Sequence, residues 1–553
     1  MNTPNFVTTY FVNGKKRVCR AAENEDLKIE FSLTDDSFKG TIYSKREIEL
    51  LRVDAVFDFD FGNGAKFFGN GYQAWTTSKE YAKEDKMSDV IPIAVGPLRN
   101  VAGISGDTRF VEFPSEAGSF FSHTYTYVRN GENLRFVGSL TERQGFTVIY
   151  ADMNNNTLTV SKDVEGVSVV NEYDLFDIVM FEGGYDEVFD RYFDTMGLAK
   201  PRLDRMSGYT SWYNYFQKID EDIILRDLDA LDKVSESVTV FQVDDGYETY
   251  VGDWLDLNGE KFPMGMGYIA EKIHEKGYKA GIWLAPFNLQ RTSRTYAEHH
   301  NWVIKEKGLP QLGVYGWGGD YTMDIYEPEA REYIRHVFDV VLNKWGYDMV
   351  KLDFLYSQCL IPRYGKSRGT IMCEAMEFLR ECCGDKLILG CGVPLGAAFG
   401  YVDACRISCD VDLKYTGKFY NALHVNNEIP SAKNAINNSV FRRHLDGRAF
   451  CNDPDVFFLR YSNLEFSMEQ KMLLGGINHL FGSVLFVSDC AGEYKDSDVA
   501  AVRKFFSKPD VKILSVNEEK GIFTIKMLVA GKRETLVFNI KTGRSNIKKV
   551  LGL

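Results

Sequence analysis

From about Tyr209 to Asp489 one rhythm repeats: a short apolar run, a helical stretch, then another apolar run. The runs are Tyr209-Thr-Ser-Trp-Tyr-Asn-Tyr, Thr239-Val-Phe-Gln-Val-Asp-Asp, Ala280-Gly-Ile-Trp-Leu-Ala and Tyr321-Thr-Met-Asp-Ile. Met349-Val-Lys-Leu-Asp-Phe, Leu387-Ile-Leu-Gly-Cys, Ala404-Cys-Arg-Ile-Ser-Cys-Asp and Ser483-Val-Leu-Phe-Val-Ser-Asp complete them. Helical patterns such as Ile269–Lys276 and Glu329–Lys344 lie between. Short apolar runs of this kind are the mark of parallel strands buried on both faces. Eight of them with intervening helices predict an α/β fold, a closed (β/α)8 TIM barrel in preference to an open sheet.

The flanks read differently. Before the barrel, runs such as Lys28-Ile-Glu-Phe-Ser-Leu, Ala55-Val-Phe-Asp-Phe-Asp-Phe and Thr157-Leu-Thr-Val-Ser alternate apolar and polar residues. Turn signals, among them Arg129-Asn-Gly-Glu, separate these runs, as in an antiparallel β-sandwich. After the barrel come Val511-Lys-Ile-Leu, Gly521-Ile-Phe-Thr-Ile-Lys-Met-Leu and Glu534-Thr-Leu-Val-Phe-Asn-Ile, a small β-domain. The expected division is 1–197 for the sandwich, 198–508 for the barrel and 509–553 for the C-terminal β-domain.

Polar residues gather where the barrel strands end. They are Trp212 and Tyr213, Asp244 and Asp245, Trp283, Asp324, Lys351 and Asp353, Cys391, Arg406 and Asp410, and Asp489. In such barrels the active site occupies that end, and a charge on a doubly buried strand needs a partner or a task. With period two, Lys351 and Asp353 share a face of the fifth run, and Arg406, Ser408 and Asp410 share a face of the seventh. Two carboxylates facing each other across the mouth suit glycoside hydrolysis, one attacking and one protonating the leaving oxygen. Structural ion pairs at the rim, or a cation site built from Asp244, Asp324 and Asp353, stay open on spacing alone.

Composition narrows the partners. A net charge of −13, from 65 basic and 78 acidic side chains, argues against a nucleic-acid polyanion as partner. No apolar run reaches the ~18 residues of a membrane span. The ten cysteines show neither metal-type C-x-x-C spacing nor a dense disulfide framework, so reduced cysteines in a cytoplasmic protein, with no metal site, are expected. Aromatic residues make up 14 % of the chain, and flat rings suit sugar faces as well as cores.

Taken as a set, several motifs resemble those of glycoside hydrolase family 36, in its short bacterial α-galactosidase form. They are Gly208-Tyr-Thr-Ser-Trp-Tyr-Asn-Tyr-Phe, Phe241-Gln-Val-Asp-Asp-Gly-Tyr-Glu, Gly252-Asp-Trp-Leu and Gly281-Ile-Trp-Leu-Ala-Pro-Phe. Lys351-Leu-Asp-Phe-Leu-Tyr, Leu389-Gly-Cys-Gly-Val-Pro-Leu, Arg406-Ile-Ser-Cys-Asp and Asn452-Asp-Pro-Asp follow in the family's order and spacing. The resemblance implies a retaining, cofactor-free hydrolase of terminal α-galactosides, with an N-terminal β-supersandwich ahead of the barrel. By motif position Asp353 would be the nucleophile and Asp410 the general acid/base. Asp244 and Asp245 would hold the sugar's O4 and O6, Lys351 and Arg406 would bind hydroxyls beside the nucleophile, Trp283 would lie in the pocket, and Cys391-Gly392 would border O2. Trp75, in Gly71-Tyr-Gln-Ala-Trp, resembles a tryptophan that reaches over the barrel mouth, and Trp212 is a further candidate for the pocket lining. The implied partner is a small α-galactoside oligosaccharide, with no nucleic acid and no membrane.

Two positions depart from the family: Ser408-Cys409 stands where Gly-Pro is common, and Val393 where Ser often follows Cys-Gly. An α-N-acetylgalactosaminidase or a galactosyl transglycosylase on the same scaffold therefore remains an alternative, as does a carbohydrate-binding protein without catalysis.

Overall fold

The computed structural model describes residues 2–87, 106–416 and 430–553. Its centre is a parallel sheet that closes on itself. The staves are β1 (Met206–Thr210), β2 (Val240–Val243), β3 (Lys279–Leu284), β4 (Met349–Leu352), β5 (Leu387–Gly390), β6 (Ala404–Arg406), β7 (Cys451–Asp453 continued by Val456–Phe457) and β8 (Val484–Val487). Each pairs in parallel with its neighbours. The first half of β7 pairs with β6 and the second with β8, which returns to β1. Nine hydrogen-bonded segments therefore make eight staves. The seam in β7 has a local cause: Pro454 offers no N–H to the ladder, and Asp455 turns the chain at φ 72°.

Two of the expected strands need correction. The run beginning at Tyr321 is not a stave: Asp320–Thr322 pairs antiparallel with Asn288–Gln290 and Leu312–Val314 in a small sheet that follows β3. β3 pairs directly with β4, Gly281 opposite Met349, which leaves no room for a strand between them. The missing stave is β7, whose first half, Cys-Asn-Asp, is too short and polar to show a pattern. The first run is also displaced, since β1 ends at Thr210 and Trp212–Tyr215 is a short helix.

The crossovers hold α1 (Glu221–Ala230), α2 (Gly265–Glu275), α3 (Pro328–Asp339), α4 (Arg368–Cys383), α5 (Leu395–Ala398), α6 (Ala432–Phe441), α7 (Met468–Phe481) and α8 (Asp496–Phe506). Their ends follow from side chains that satisfy free backbone N–H groups. Asp220, Ser367, Ser431 and Ser467 accept from the N–H three residues on, at the starts of α1, α4, α6 and α7. In α3, Ala330, Ile334, Val337 and Phe338 form the inward stripe of a helix on a sheet. Gly208 marks the tightest contact between β1 and β2: a Cβ there would lie 1.8 Å from the Val240 carbonyl oxygen.

Two antiparallel sheets, of six and seven strands, precede the barrel. Alternation in Asn5–Val12 buries every second side chain, and Phe38, Phe57 and Phe176 meet in the core between the sheets. The Asn-Gly signal is a tight hairpin, with Asn130 opposite Asn133 and Gly131 at φ 63°. After α8 comes an antiparallel sheet of Val511–Glu519, Ile522–Val529 and Lys532–Asn539, followed by the helix Ile547–Leu551. Among the described residues no helix is long and apolar enough to cross a membrane.

Candidate active site

Asp353 stands one residue beyond β4 and is 7 % exposed. Its N–H donates to the Leu284 carbonyl at 2.9 Å, which ties the turn to the end of β3. Phe354 follows in the left-handed region (φ 54°), and its N–H donates back to Asp353 Oδ1 at 2.8 Å. From β3, Trp283 Nε1 donates to Oδ2 at 3.2 Å, and the Cys391 side chain beyond β5 hydrogen-bonds the same carboxylate. Every hydrogen bond to Asp353 thus comes from a neutral group. Burial pushes its pKa up, Lys351 pulls it back and Asp410 pushes it up again, for a net rise.

Lys351 is opposite Trp283 in the sheet, but its Nζ points to Asp244 and donates to Oδ2 at 2.8 Å. The same oxygen accepts from Gln242 Nε2 at 2.8 Å and from Thr210 Oγ1 at 3.3 Å. Burial opposes the lysine's charge, yet Asp244 more than offsets it, and the Lys351 pKa is raised. Asp245, next in the chain, accepts from Gln217 Nε2 at 3.0 Å and from Trp317 Nε1 at 3.0 Å. Burial raises its pKa, and it shares a hydrogen bond with Glu248, whose own pKa burial and Asp245 raise well above the usual range. Two carboxyls can bond in this way only with a proton between them.

Asp410 lies beyond β6, with 38 % of its side chain exposed, and meets Arg406 NH1 at 3.1 Å. β6 ends at Arg406, so the expected shared strand face does not exist; the pair forms across four residues of irregular chain. Arg406 is otherwise occupied, by Asp453 on Nε at 3.0 Å and by Asp455 on NH2 at 2.9 Å. Three carboxylates on one buried guanidinium leave it little capacity for sugar hydroxyls. Asp353 and Asp410 stand beyond β4 and β6, with β5 and its Cys391-Gly392 turn between them.

Aromatic rings wall the site. Trp254 meets Trp283 edge-on at 5.7 Å, and Trp317 lies 6.0 Å from Trp283 and edge-on to Phe354 at 5.3 Å. Trp75, carried by the N-terminal sandwich, stacks on Phe354 at 5.6 Å. Buried Arg442 holds its loop, donating to the carbonyls of Gln73, Ala74 and Thr76, and also to the Ile407 carbonyl near Asp410. Gly392 sits at φ 57°, where a Cβ would be 2.9 Å from the Trp75 ring and 3.1 Å from the Phe354 nitrogen.

Other candidates fall outside this group. Trp212 sits half-buried, edge-on to Phe216 at 5.2 Å; its neighbour Tyr213 is the one that reaches inward, donating to Asp455. Asp324 is held by Arg363 and Tyr364, and Asp489 by Arg460 and Tyr494. Asp244, Asp324 and Asp353 therefore do not converge as a cation site, and among the described residues no trio of His, Cys, Asp or Glu could hold a metal ion. Trp317, Gln217 and Asp320 carried no sequence signal, and Glu248 closed the Phe241-Gln-Val-Asp-Asp-Gly-Tyr-Glu motif without being given a role. Asp453 and Asp455 carried one, the Asn-Asp-Pro-Asp motif, that only recognition of β7 would have placed at the mouth.

Residues 210–366 match the Melibiase family model. "Alpha-galactosidase 1" of Pediococcus pentosaceus is 27 % identical over 138 residues, covering 23 % of this chain and 18 % of that protein. "Alpha-galactosidase mel1" of Schizosaccharomyces pombe is 32 % identical over 130 residues, 21 % of this chain and 26 % of that one. The chain thus spans about a fifth to a quarter of the length of these curated relatives. Among solved structures, the α-galactosidase TtGalA of Thermus thermophilus, in complex with p-nitrophenyl α-D-galactopyranoside, superposes with a TM-score of 0.69 at 23 % identity, over 91 % of this chain and 98 % of that one. The family 36 α-galactosidase AgaA of Geobacillus stearothermophilus gives 0.62 at 11 % identity, over 92 % and 72 %. At these identities the structures speak for the fold: a TIM-barrel core of the family 36 type, as the motifs suggest.

Proposed function

We propose that this chain is a retaining α-galactosidase that releases terminal α-linked galactose from small oligosaccharides. Asp353 attacks the anomeric carbon and forms a β-galactosyl ester while Asp410 protonates the departing oxygen; Asp410 then takes a proton from the water that cleaves the ester. The observation that carries this reading is the contrast between the two carboxylates. Asp353 is buried and held by neutral donors only, aimed and still able to attack, whereas Asp410 is open to solvent on one side and fixed by Arg406. Asp244 and Asp245, anchored on the opposite side of the mouth, are fit to accept hydroxyls, and the tryptophans offer faces for the sugar ring. The Melibiase match, from the end of β1 to beyond β4 and containing Asp244, Asp245 and Asp353, supports the same chemistry, as do neighbours solved with stachyose and raffinose. Ten unpaired cysteines support a reducing, cytoplasmic setting.

Asp353→Ala tests this with an activated aryl α-galactoside. Loss of turnover, restored by azide with release of a β-galactosyl azide, is expected; unaltered hydrolysis by the variant refutes the assignment. Turnover of an α-N-acetylgalactosaminide in preference to the galactoside would refute the sugar.

A further inference from the structure

The Asn452-Asp-Pro-Asp motif has no part in the mechanism above, yet it ends inside the site. Asp455 is fully buried. It sits in the left-handed region at φ 72°, a conformation Asp tolerates better than most residues but that still needs support from its surroundings. Its N–H is tied to Asp453 Oδ1 at 2.8 Å. Its Oδ1 faces Arg406 NH2 at 2.9 Å, and its Oδ2 accepts both the Tyr213 hydroxyl and the Val411 N–H, the latter at 2.9 Å. Val411 follows Asp410 directly, and Arg406 is the residue whose NH1 holds the Asp410 carboxylate.

One side chain therefore fixes Asp410 twice, by its backbone through Val411 and by its carboxylate through Arg406. The segment needs this, because β6 has ended: the Ile407 N–H still reaches the Asp453 carbonyl at 2.9 Å, but residues 408–412 belong to no strand. The groups facing the cluster are Arg406, Asp453, Asp410 and Tyr213, with Lys351 and Cys391 beyond Arg406. The Asp455 pKa is raised to about 6, chiefly by burial, with Arg406 opposing the rise and Asp410 and Asp453 adding to it.

We infer that Asp455, acting through Arg406 and Val411 and supported by Tyr213, is the positioning residue that aims the Asp410 carboxyl at the leaving oxygen. This rests on the reading of Asp410 as general acid. General acid catalysis contributes about 10²–10⁴-fold, and its weight depends on how much the leaving group needs a proton. An alkyl galactoside leaves as a poor anion and needs the acid; 2,4-dinitrophenolate does not.

The experiment measures kcat/KM on methyl α-galactoside and on 2,4-dinitrophenyl α-galactoside for wild type, Asp410→Ala, Asp455→Asn and Tyr213→Phe, with folding checked by circular dichroism. Asn keeps the shape and the left-handed tolerance of Asp455 while removing its charge. For Asp455→Asn the expected loss is about 100-fold or more on the alkyl substrate and under about 5-fold on the aryl one, the same split as Asp410→Ala. Tyr213→Phe is expected to show the split at about 3–10-fold, and it decides the matter if Asp455→Asn does not fold. Equal losses on both substrates, or none, in the folded Asp455 or Tyr213 variant overturn the inference while leaving the activity in place. Absence of the split in Asp410→Ala overturns the acid assignment itself.

Discussion

Lys351→Met removes one half of an ion pair whose side chains are 8 % and 3 % exposed, with Nζ 2.8 Å from Asp244. At an effective dielectric of about 20, charges that close attract by roughly 6 kcal/mol, against which stands the desolvation of both. Removing one partner of a buried pair typically loses about 3–5 kcal/mol, mostly from the charge left behind. Asp244 would keep Gln242, Thr210 and the Asp245 N–H as donors, which places the expected loss near the lower end, about 3 kcal/mol. The double variant Lys351→Met with Asp244→Asn leaves no stranded charge and should recover most of that loss. The measurement is urea unfolding at pH 7 of wild type, the two single variants Lys351→Met and Asp244→Asn, and the double variant. The raised Lys351 pKa means its contribution is complete below the lysine's unfolded pKa and fades only as pH climbs through the folded value, so results at pH 7 and pH 8.5 should agree. A single variant within about 1 kcal/mol of wild type, or a double variant whose loss is the sum of the singles, would refute the claim that this pair is coupled and buried.

Gly392→Ala should combine backbone strain at φ 57° with a clash against Trp75 and Phe354, losing about 1–3 kcal/mol in thermal or urea unfolding and reducing turnover by moving the Asp353 turn. Asp320 is buried with neither carboxylate oxygen hydrogen-bonded, and burial, reinforced by Asp245 against Arg291, pushes its pKa up to about 8. Between its unfolded value near 4 and that folded value the native chain keeps a proton the unfolded chain releases, so stability falls with rising pH by about 1.4 kcal/mol per unit. Asp320→Asn should abolish that fall between pH 5 and pH 7.5, as read from urea midpoints; an unchanged pH slope would show that Asp320 ionises normally.

The residues at the strand ends were legible because barrel packing leaves few reasons for an Asp or Lys there. The motifs around Asp244, Asp353 and Asp410 needed no tertiary information to be found. The order of the staves was less legible. The run after Tyr321 has the composition of a buried strand, but its partners, Asn288–Gln290 and Leu312–Val314, run antiparallel to it. β7 escaped notice because Pro454 divides it into two stubs of three and two residues. The extra stave shifts both numbers by one and the missed stave lies beyond Asp410, so Asp353 and Asp410 remain two staves apart. Period two served Lys351 and Asp353 poorly as well: they share a side of the mouth, but the lysine's bond goes to Asp244, a choice made by distance across the barrel. Trp75 and Trp317 reach the site from a different domain and from a distant loop; the Gly71-Tyr-Gln-Ala-Trp motif marks the first, and no local pattern marks the second.

The allocation of charges at the mouth bears on how the site works. Two cations, Lys351 and Arg406, serve Asp244, Asp410, Asp453 and Asp455, and neither touches Asp353. A carboxylate locked in an ion pair must break that pair to form a bond, and the energy is lost from the barrier it should lower. Asp353 instead accepts from an indole, a thiol and a backbone amide, which orient it while leaving its charge uncompensated at contact distance. Lys351 still acts on it through space, opposing the rise in pKa that burial and Asp410 impose, without closing an ion pair on the carboxylate proposed to attack. The same arithmetic leaves more carboxylates than cations at the mouth; for the proposed reaction, whose centre becomes positive as the glycosidic bond breaks, such an excess, fixed in advance by the fold, favours that charge over the neutral sugar.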